Sequence, residues 1–278
     1  MPSVGSMVRA RRSALFDDDA LLHGALALES VIDECVLIIG PAAIALIASS
    51  LTATAGLLAI TVLAVTGLAG LATQRNTQPV AVGTGRSVHG RLFTRPGVWA
   101  LLLTFVTIGA ATSTIELATV AFCQAHHDKV LSGPVLSLLA LASARAGLSY
   151  GTRGPASHTE ARLLRSVQLF TAATLLLVAA PNVPGLIIAA LVVGATLSPV
   201  AINGFATIRR LIPAPQLTEG FTWLTSALGL GIATGNALAG QIVAAWGTHA
   251  AFAAATACAL AASLATRRAS HNRPATTK

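Results

Sequence analysis

Seventeen of the eighteen Lys and Arg residues in this chain fall on one side of a plane when its long apolar stretches are threaded back and forth across that plane. The stretches cover roughly 26–51, 55–71, 98–123, 130–150, 164–180, 186–208, 221–245 and 250–265. About 20 apolar residues carry a helix across the hydrocarbon of a bilayer, because each residue rises about 1.5 Å. Alternate connectors and both tails then hold every arginine, from Arg9, Arg11 and Arg12 to Arg267, Arg268 and Arg273, together with Lys278. Lys129 alone faces the other way. Basic residues near span ends stay cytoplasmic. The expectation is an all-α membrane protein of about eight transmembrane helices, multi-pass in the inner (plasma) membrane, with both termini cytoplasmic.

Composition agrees. The chain is 54% hydrophobic and 10% charged, with a mean hydropathy of +0.73, whereas soluble domains carry about 25% charged residues. The formal charge of +8 is spread over short connectors, with no basic stripe or aromatic stacking platform. Nucleic acid is therefore not an expected partner; the lipid bilayer, with its anionic inner leaflet, is. Cys35, Cys123 and Cys258 are odd in number and irregular in spacing, and read as small apolar fillers. Arg9, Arg11 and Arg12 are followed by Asp17, Asp18 and Asp19, a run that does not fit a cleavable signal.

Connector composition divides the chain. Residues 1–25 read as a cytoplasmic segment and 26–73 as two transmembrane helices. Residues 74–97, with Pro79, Gly83, Gly85, Gly90 and Pro96, read as a cytoplasmic linker. Residues 98–266 read as a six-helix bundle and 267–278 as a cytoplasmic tail. Trp99, Tyr150 and Trp246 fall near span ends, where amphipathic rings prefer to sit.

Several residues fall inside apolar stretches despite an insertion cost of about 2.5–3.5 kcal/mol for each charge. Glu29 and Asp33 lie one helical turn apart on one face of the first stretch, with Glu34 beside them. A carboxylate in low dielectric gains and loses protons readily. The three are candidates for proton or cation coupling or substrate contact, or else a structural polar cluster. Glu116, among Thr112, Ser113 and Thr114, is a candidate for lining a cavity or for an interhelical hydrogen bond. Asn203 and Asn236 are weaker candidates of the same kind, and Arg145 reads as a snorkelling side chain. Gly231 and Gly235 form a small-xxx-small face for close helix packing. His126, His127 and Asp128 share one short loop without a further ligand set, so no metal site is expected. No nucleophile elbow or phosphate loop is present, and neither an enzyme nor a cofactor is expected.

Three stretches resemble the major facilitator superfamily of transporters. Ala27-Leu28-Glu29-Ser30-Val31-Ile32-Asp33-Glu34 followed by Gly40-Pro41 is similar to the fifth helix of a bacterial efflux-type subgroup. Gly147-Leu148-Ser149-Tyr150-Gly151-Thr152-Arg153 is similar to the connector between the eighth and ninth helices. Leu211-Ile212-Pro213 and Gln216-Leu217-Thr218-Glu219-Gly220 resemble the lead into the eleventh. Two departures stand out: Ala42-Ala43-Ile44 replaces a further glycine pair after Pro41, and the acidic residue usual after Gly151 is missing.

The resemblance implies a C-terminal six-helix bundle preceded by two helices of an N-terminal bundle, with the first four helices lacking. Gly40 and Pro41 become helix-packing positions in this alignment. The implied function is efflux of an unidentified small organic molecule by alternating access, with proton coupling left open. The alternative is a truncated, non-transporting membrane protein or an interaction partner that needs a missing N-terminal half. A cysteine introduced by Gly85→Cys is expected to react with an impermeant maleimide from the cytoplasmic side only; labelling from outside inverts the topology.

Overall fold

The computed structural model describes residues 52–73, 96–151, 159–213 and 216–271, with further helical positions at 24, 25, 28, 32 and 36. Among the described residues the regular elements are all helical: α1 Ala53–Thr73, α2 Pro96–Ala125, α3 Ser132–Gly151, α4 Thr159–Val178, α5 Val183–Leu211 and α6 Leu217–His271, with a 3-10 turn at Lys129–Leu131. Most of the first apolar stretch and of the connector before α2 lies outside the described residues.

The seventh and eighth stretches join in α6. Their junction is Gly247, at φ 82° and ψ −178°, a conformation that a side chain makes costly. The chain reverses there, so α6 comprises two antiparallel segments, α6a (217–246) and α6b (248–271). Among the described residues four helices are long and apolar enough to cross a membrane: Gly97–Ala125, Thr159–Val178, Val183–Leu211 and Leu217–Arg268, the last long enough for two passes. This is a multi-pass membrane protein. In α1 the apolar segment Leu58–Gly70 is shorter. Its side chains are exposed on every side, apart from half-buried Ala59.

Local chemistry sets the helix ends. Pro96 opens α2 at a position whose N–H has no intrahelical partner anyway. Asn182 caps α5 by accepting from the Gly185 N–H at 2.9 Å, and Arg209 and Arg210 complement the helix dipole in its last turn. Pro199 interrupts the backbone ladder within α5. Buried hydroxyls bond to carbonyls one turn back, as in Thr104 to Ala100 O and Thr256 to Phe252 O, at 2.8 and 3.0 Å. A helix in lipid must satisfy its polar groups internally in this way.

Packing follows the backbone contacts. α2 and α6a run parallel and close: a Cβ at Gly231 would meet Val106 O, one at Gly235 would meet Ala110 O and Ser113 Oγ, and one at Gly109 would meet Leu228 O. α3 and α5 form a second parallel pair. There a Cβ at Gly194 would meet Leu139 O, and Ser143 Oγ lies 2.9 Å from Ser198 Oγ. α6b runs antiparallel to α2, with Thr104 Oγ1 3.1 Å from Thr266 Oγ1 near one end and Phe122 against Phe252 near the other. It also runs antiparallel to α4, where Thr171 Oγ1 donates to Ala259 O at 2.9 Å and His249 Nδ1 lies 3.1 Å from Val178 O. Phe105 of α2 meets Phe205 of α5 edge-on at 5.9 Å and fills the space over Gly204.

These contacts split the bundle into α2–α3–α4 and α5–α6a–α6b. The first helix of each unit lies parallel to the second helix of the other. The helix ends that carry Arg162, Arg165, Arg209, Arg210, Arg267 and Arg268 come together at one end of the bundle.

Overpacking a tight contact costs about 1–3 kcal/mol. Gly231→Leu or Gly235→Val is therefore expected to lower the thermal midpoint of the detergent-solubilised protein. Gly229→Val, at a position with nothing within 4 Å, is expected to leave it unchanged.

Candidate functional site

Helix α6a carries two small-residue faces. Gly231, Gly235 and Ala239 are buried against α2, while Ser226, Gly229, Ala233, Asn236 and Gly240 recur at three- and four-residue spacing on another side and are exposed. A Cβ at Gly229 or Gly240 would meet nothing within 4 Å. The bulky exposed residues Trp223, Leu230 and Leu238 fall on a third side, while exposed Ile232 lies between the buried face and the small strip. Trp, Leu and Leu suit lipid, whereas a strip of Ser, Gly, Ala and Asn gives lipid tails little to pack against.

Helix geometry sets what the small exposed strip faces. α2 and α6a touch through Ser113 and Gly235, and Thr114 Oγ1 donates to Gly235 O at 3.5 Å. Rotating by about 100° per residue from those contacts places Glu116 and half-buried Thr112 of α2, and Asn236 of α6a, on the same side of the pair. That is also the side on which Phe105 reaches Phe205 of α5. Leu103, Thr107, Trp223, Leu230 and Leu238 fall on the opposite side. The bundle thus presents a carboxylate, a hydroxyl and an amide at one depth, toward the space between its two parallel helix pairs. Glu116 is exposed there although Ile115 beside it is buried.

Asn203 lies elsewhere. It is buried at 1% exposure, and its Nδ2 donates to Tyr150 Oη at 2.9 Å and to Ser166 Oγ at 2.8 Å. Arg162 Nε donates to the same Tyr150 oxygen at 2.9 Å, with its guanidinium 4.7 Å from the ring centroid. Ser166 Oγ donates to Arg162 O and Thr207 Oγ1 to Asn203 O. The cluster ties α3, α4 and α5 together at the arginine-bearing end, inside the packed bundle and away from the open side. Tyr150 is therefore a bonded, half-buried member of that cluster. Arg145 is exposed on α3.

Glu29, Asp33, Glu34, Gly40 and Pro41 lie outside the described residues. Gly231 and Gly235 occupy the packing seam that their spacing suggests. Among the described residues no group of three His, Cys, Asp or Glu side chains comes together to hold a metal ion. His126 instead stacks on Phe122 at 4.1 Å, and its Nδ1 lies 2.9 Å from Phe122 O. Apart from Asn236, the outer strip of α6a is absent from the sequence expectations, although the 3–4 recurrence from Ser226 to Gly240 is a signal that points to it. The Arg162–Tyr150–Asn203 cluster has no such signal, because its members come from three helices.

Comparison with known proteins bears on this geometry. Residues 160–278 match the family model described as Major Facilitator Superfamily. The fold is similar to the crystal structure of the human organic anion transporter MFSD10 (TETRAN), with a TM-score of 0.73 at 18% identity, covering 94% of this chain and 67% of that one. No curated protein sequence matches the chain.

In a background with Cys35, Cys123 and Cys258 replaced by serine, Ala233→Cys and Asn236→Cys are expected to react with a water-soluble maleimide in membranes. Leu230→Cys and Leu238→Cys are expected to stay unlabelled. Equal labelling of all four would remove the distinction between an aqueous and a lipid face.

Proposed function

We propose that this chain is a secondary transporter of the major facilitator type, moving a small organic molecule outward across the plasma membrane by alternating access. The observation that carries the reading is the open side of α2 and α6a, where Glu116, Thr112 and Asn236 share one depth next to the Gly109–Gly231–Gly235 seam. The family-model match over 160–278 and the fold shared with a solved transporter support it.

In this reading the two bundles rock about a midplane site. Glu116 offers a charge to a substrate, Thr112 and Asn236 offer hydrogen bonds, and the glycine seam lets α6a shift along α2 without side-chain collision. Asn203 holds the bundle and does not touch substrate. Glu29 and Asp33 take up and release the coupling proton from the first apolar stretch, with Glu34 beside them and Gly40-Pro41 shaping that helix. The arginine-bearing end faces the cytoplasm, as the distribution of basic residues requires under the positive-inside rule.

Everted vesicles from cells making the full chain test this with a panel of small organic cations and anions under an imposed proton gradient. Gradient-driven uptake of at least one compound above empty-vector vesicles is expected, and Glu29→Gln combined with Asp33→Asn is expected to abolish it. Glu116→Gln is expected to lower uptake of a cationic compound roughly tenfold, the scale of one lost charge-assisted hydrogen bond. Unchanged uptake in the double variant would remove those carboxylates from coupling. Absence of uptake for every compound would overturn the transporter reading.

A further inference from the structure

At the arginine-bearing end, α4 and α6b meet with an unusual distribution of charge. The two helices run antiparallel and present adjoining lipid-facing stripes. On α4 the stripe is Arg165, Leu169, Ala172 and Leu176; on α6b it is Leu260, Leu264, Arg267 and Arg268, all exposed. Leu169, Leu260 and Leu264 keep 63%, 51% and 58% of their surface accessible. Three guanidiniums therefore stand at the head of an apolar surface of exposed leucines, Leu175 and Leu176 among them.

The guanidinium nearest the seam is held in place by an amide. Gln168 Oε1 accepts from Arg267 Nη2 at 2.7 Å and from Nε at 3.2 Å, in the amide orientation that satisfies both ends of the side chain. This holds the plane of the Arg267 guanidinium against α4. Arg165 lies three residues before Gln168 and so shares its side of α4, and Arg268 follows Arg267 directly. A planar, pre-oriented guanidinium suits bidentate contact with phosphate oxygens better than an ammonium does.

We propose that these adjoining stripes bind an anionic phospholipid of the inner leaflet, with its phosphate against Arg165, Arg267 and Arg268 and an acyl chain along Leu169, Leu260 and Leu264. Charge complementarity and the succession of charged head and exposed leucines both match that occupant. The site lies on the lipid-facing back of the bundle, apart from the open side of α2 and α6a. It rests on the cytoplasmic placement of this end and is independent of whether the chain transports anything.

The experiment uses the full chain in nanodiscs of phosphatidylcholine with or without phosphatidylglycerol, followed by mass measurement of the lipid retained on the protein. Each basic residue near an anionic surface strengthens attraction about fivefold, so three predict on the order of a hundredfold enrichment of phosphatidylglycerol over phosphatidylcholine. Arg165→Ala, Arg267→Ala and Arg268→Ala together are expected to remove most of it, while Arg145→Ala with Arg210→Ala, at the same end, leaves it in place. Arg267→Lys keeps the charge and the fold and is expected to lose part of the enrichment, which keeps the proposal testable should the triple variant fail to insert. Equal loss in the Arg145/Arg210 control would show diffuse surface charge and overturn the site. So would no enrichment in the unaltered chain, or full competition by inorganic phosphate, which would mean a free anion is the ligand.

Discussion

Lipid tails are as apolar as leucine, so helices in a bilayer gain little from hiding leucines against one another. They associate where backbones come close enough for dispersion and polar contacts to exceed those made with lipid. In this bundle that closeness is reached through glycine. Gly109, Gly231 and Gly235 bring α2 and α6a together, and Gly194 does the same for α3 and α5. Both pairs are parallel, and each joins one three-helix unit to the other. The open side between them exists because these two seams fix where the helices stand.

Tight seams also organise the polar groups. Ser113 rests against Gly235 because no side chain intervenes, and that contact sets the depth of Glu116 and Asn236. Ser143 and Ser198 meet across the other seam at 2.9 Å. Thr104 and Thr266 meet where α6b crosses α2, and each hydroxyl also bonds its own helix. A hydroxyl that bonds one turn back along its own helix needs no external partner, so these residues sit in apolar surroundings at low cost.

Much of this was legible in the sequence, because span length and charge sidedness are properties of composition along the chain. The described helices α1 to α5 fall on the second to sixth apolar stretches, and the Gly231/Gly235 seam lies where its spacing suggests. Boundaries shift where local chemistry extends a helix: α2 starts at Pro96, and α6 runs past Arg267 and Arg268. For Asn203 the sequence left open a cavity-lining role or an interhelical hydrogen bond, and which of the two holds was not legible. Its partners, Tyr150 and Ser166, belong to other helices, and hydrophobic periodicity carries no information about which polar atoms meet across a bundle. The strip from Ser226 to Gly240 was obscured for a different reason. In an apolar segment, small residues packed against a helix and small residues left exposed have the same composition, and only the position of α2 separates them.

The reversal at Gly247 has a consequence for how the chain is made. A single residue with positive φ joins α6a to α6b, leaving almost no polar tether between them. A nascent chain emerging from the ribosome would expose α6a with no hydrophilic stop behind it. The two segments are best accommodated by entering the bilayer together as a hairpin, and synthesis of α6b thereby becomes part of seating α6a.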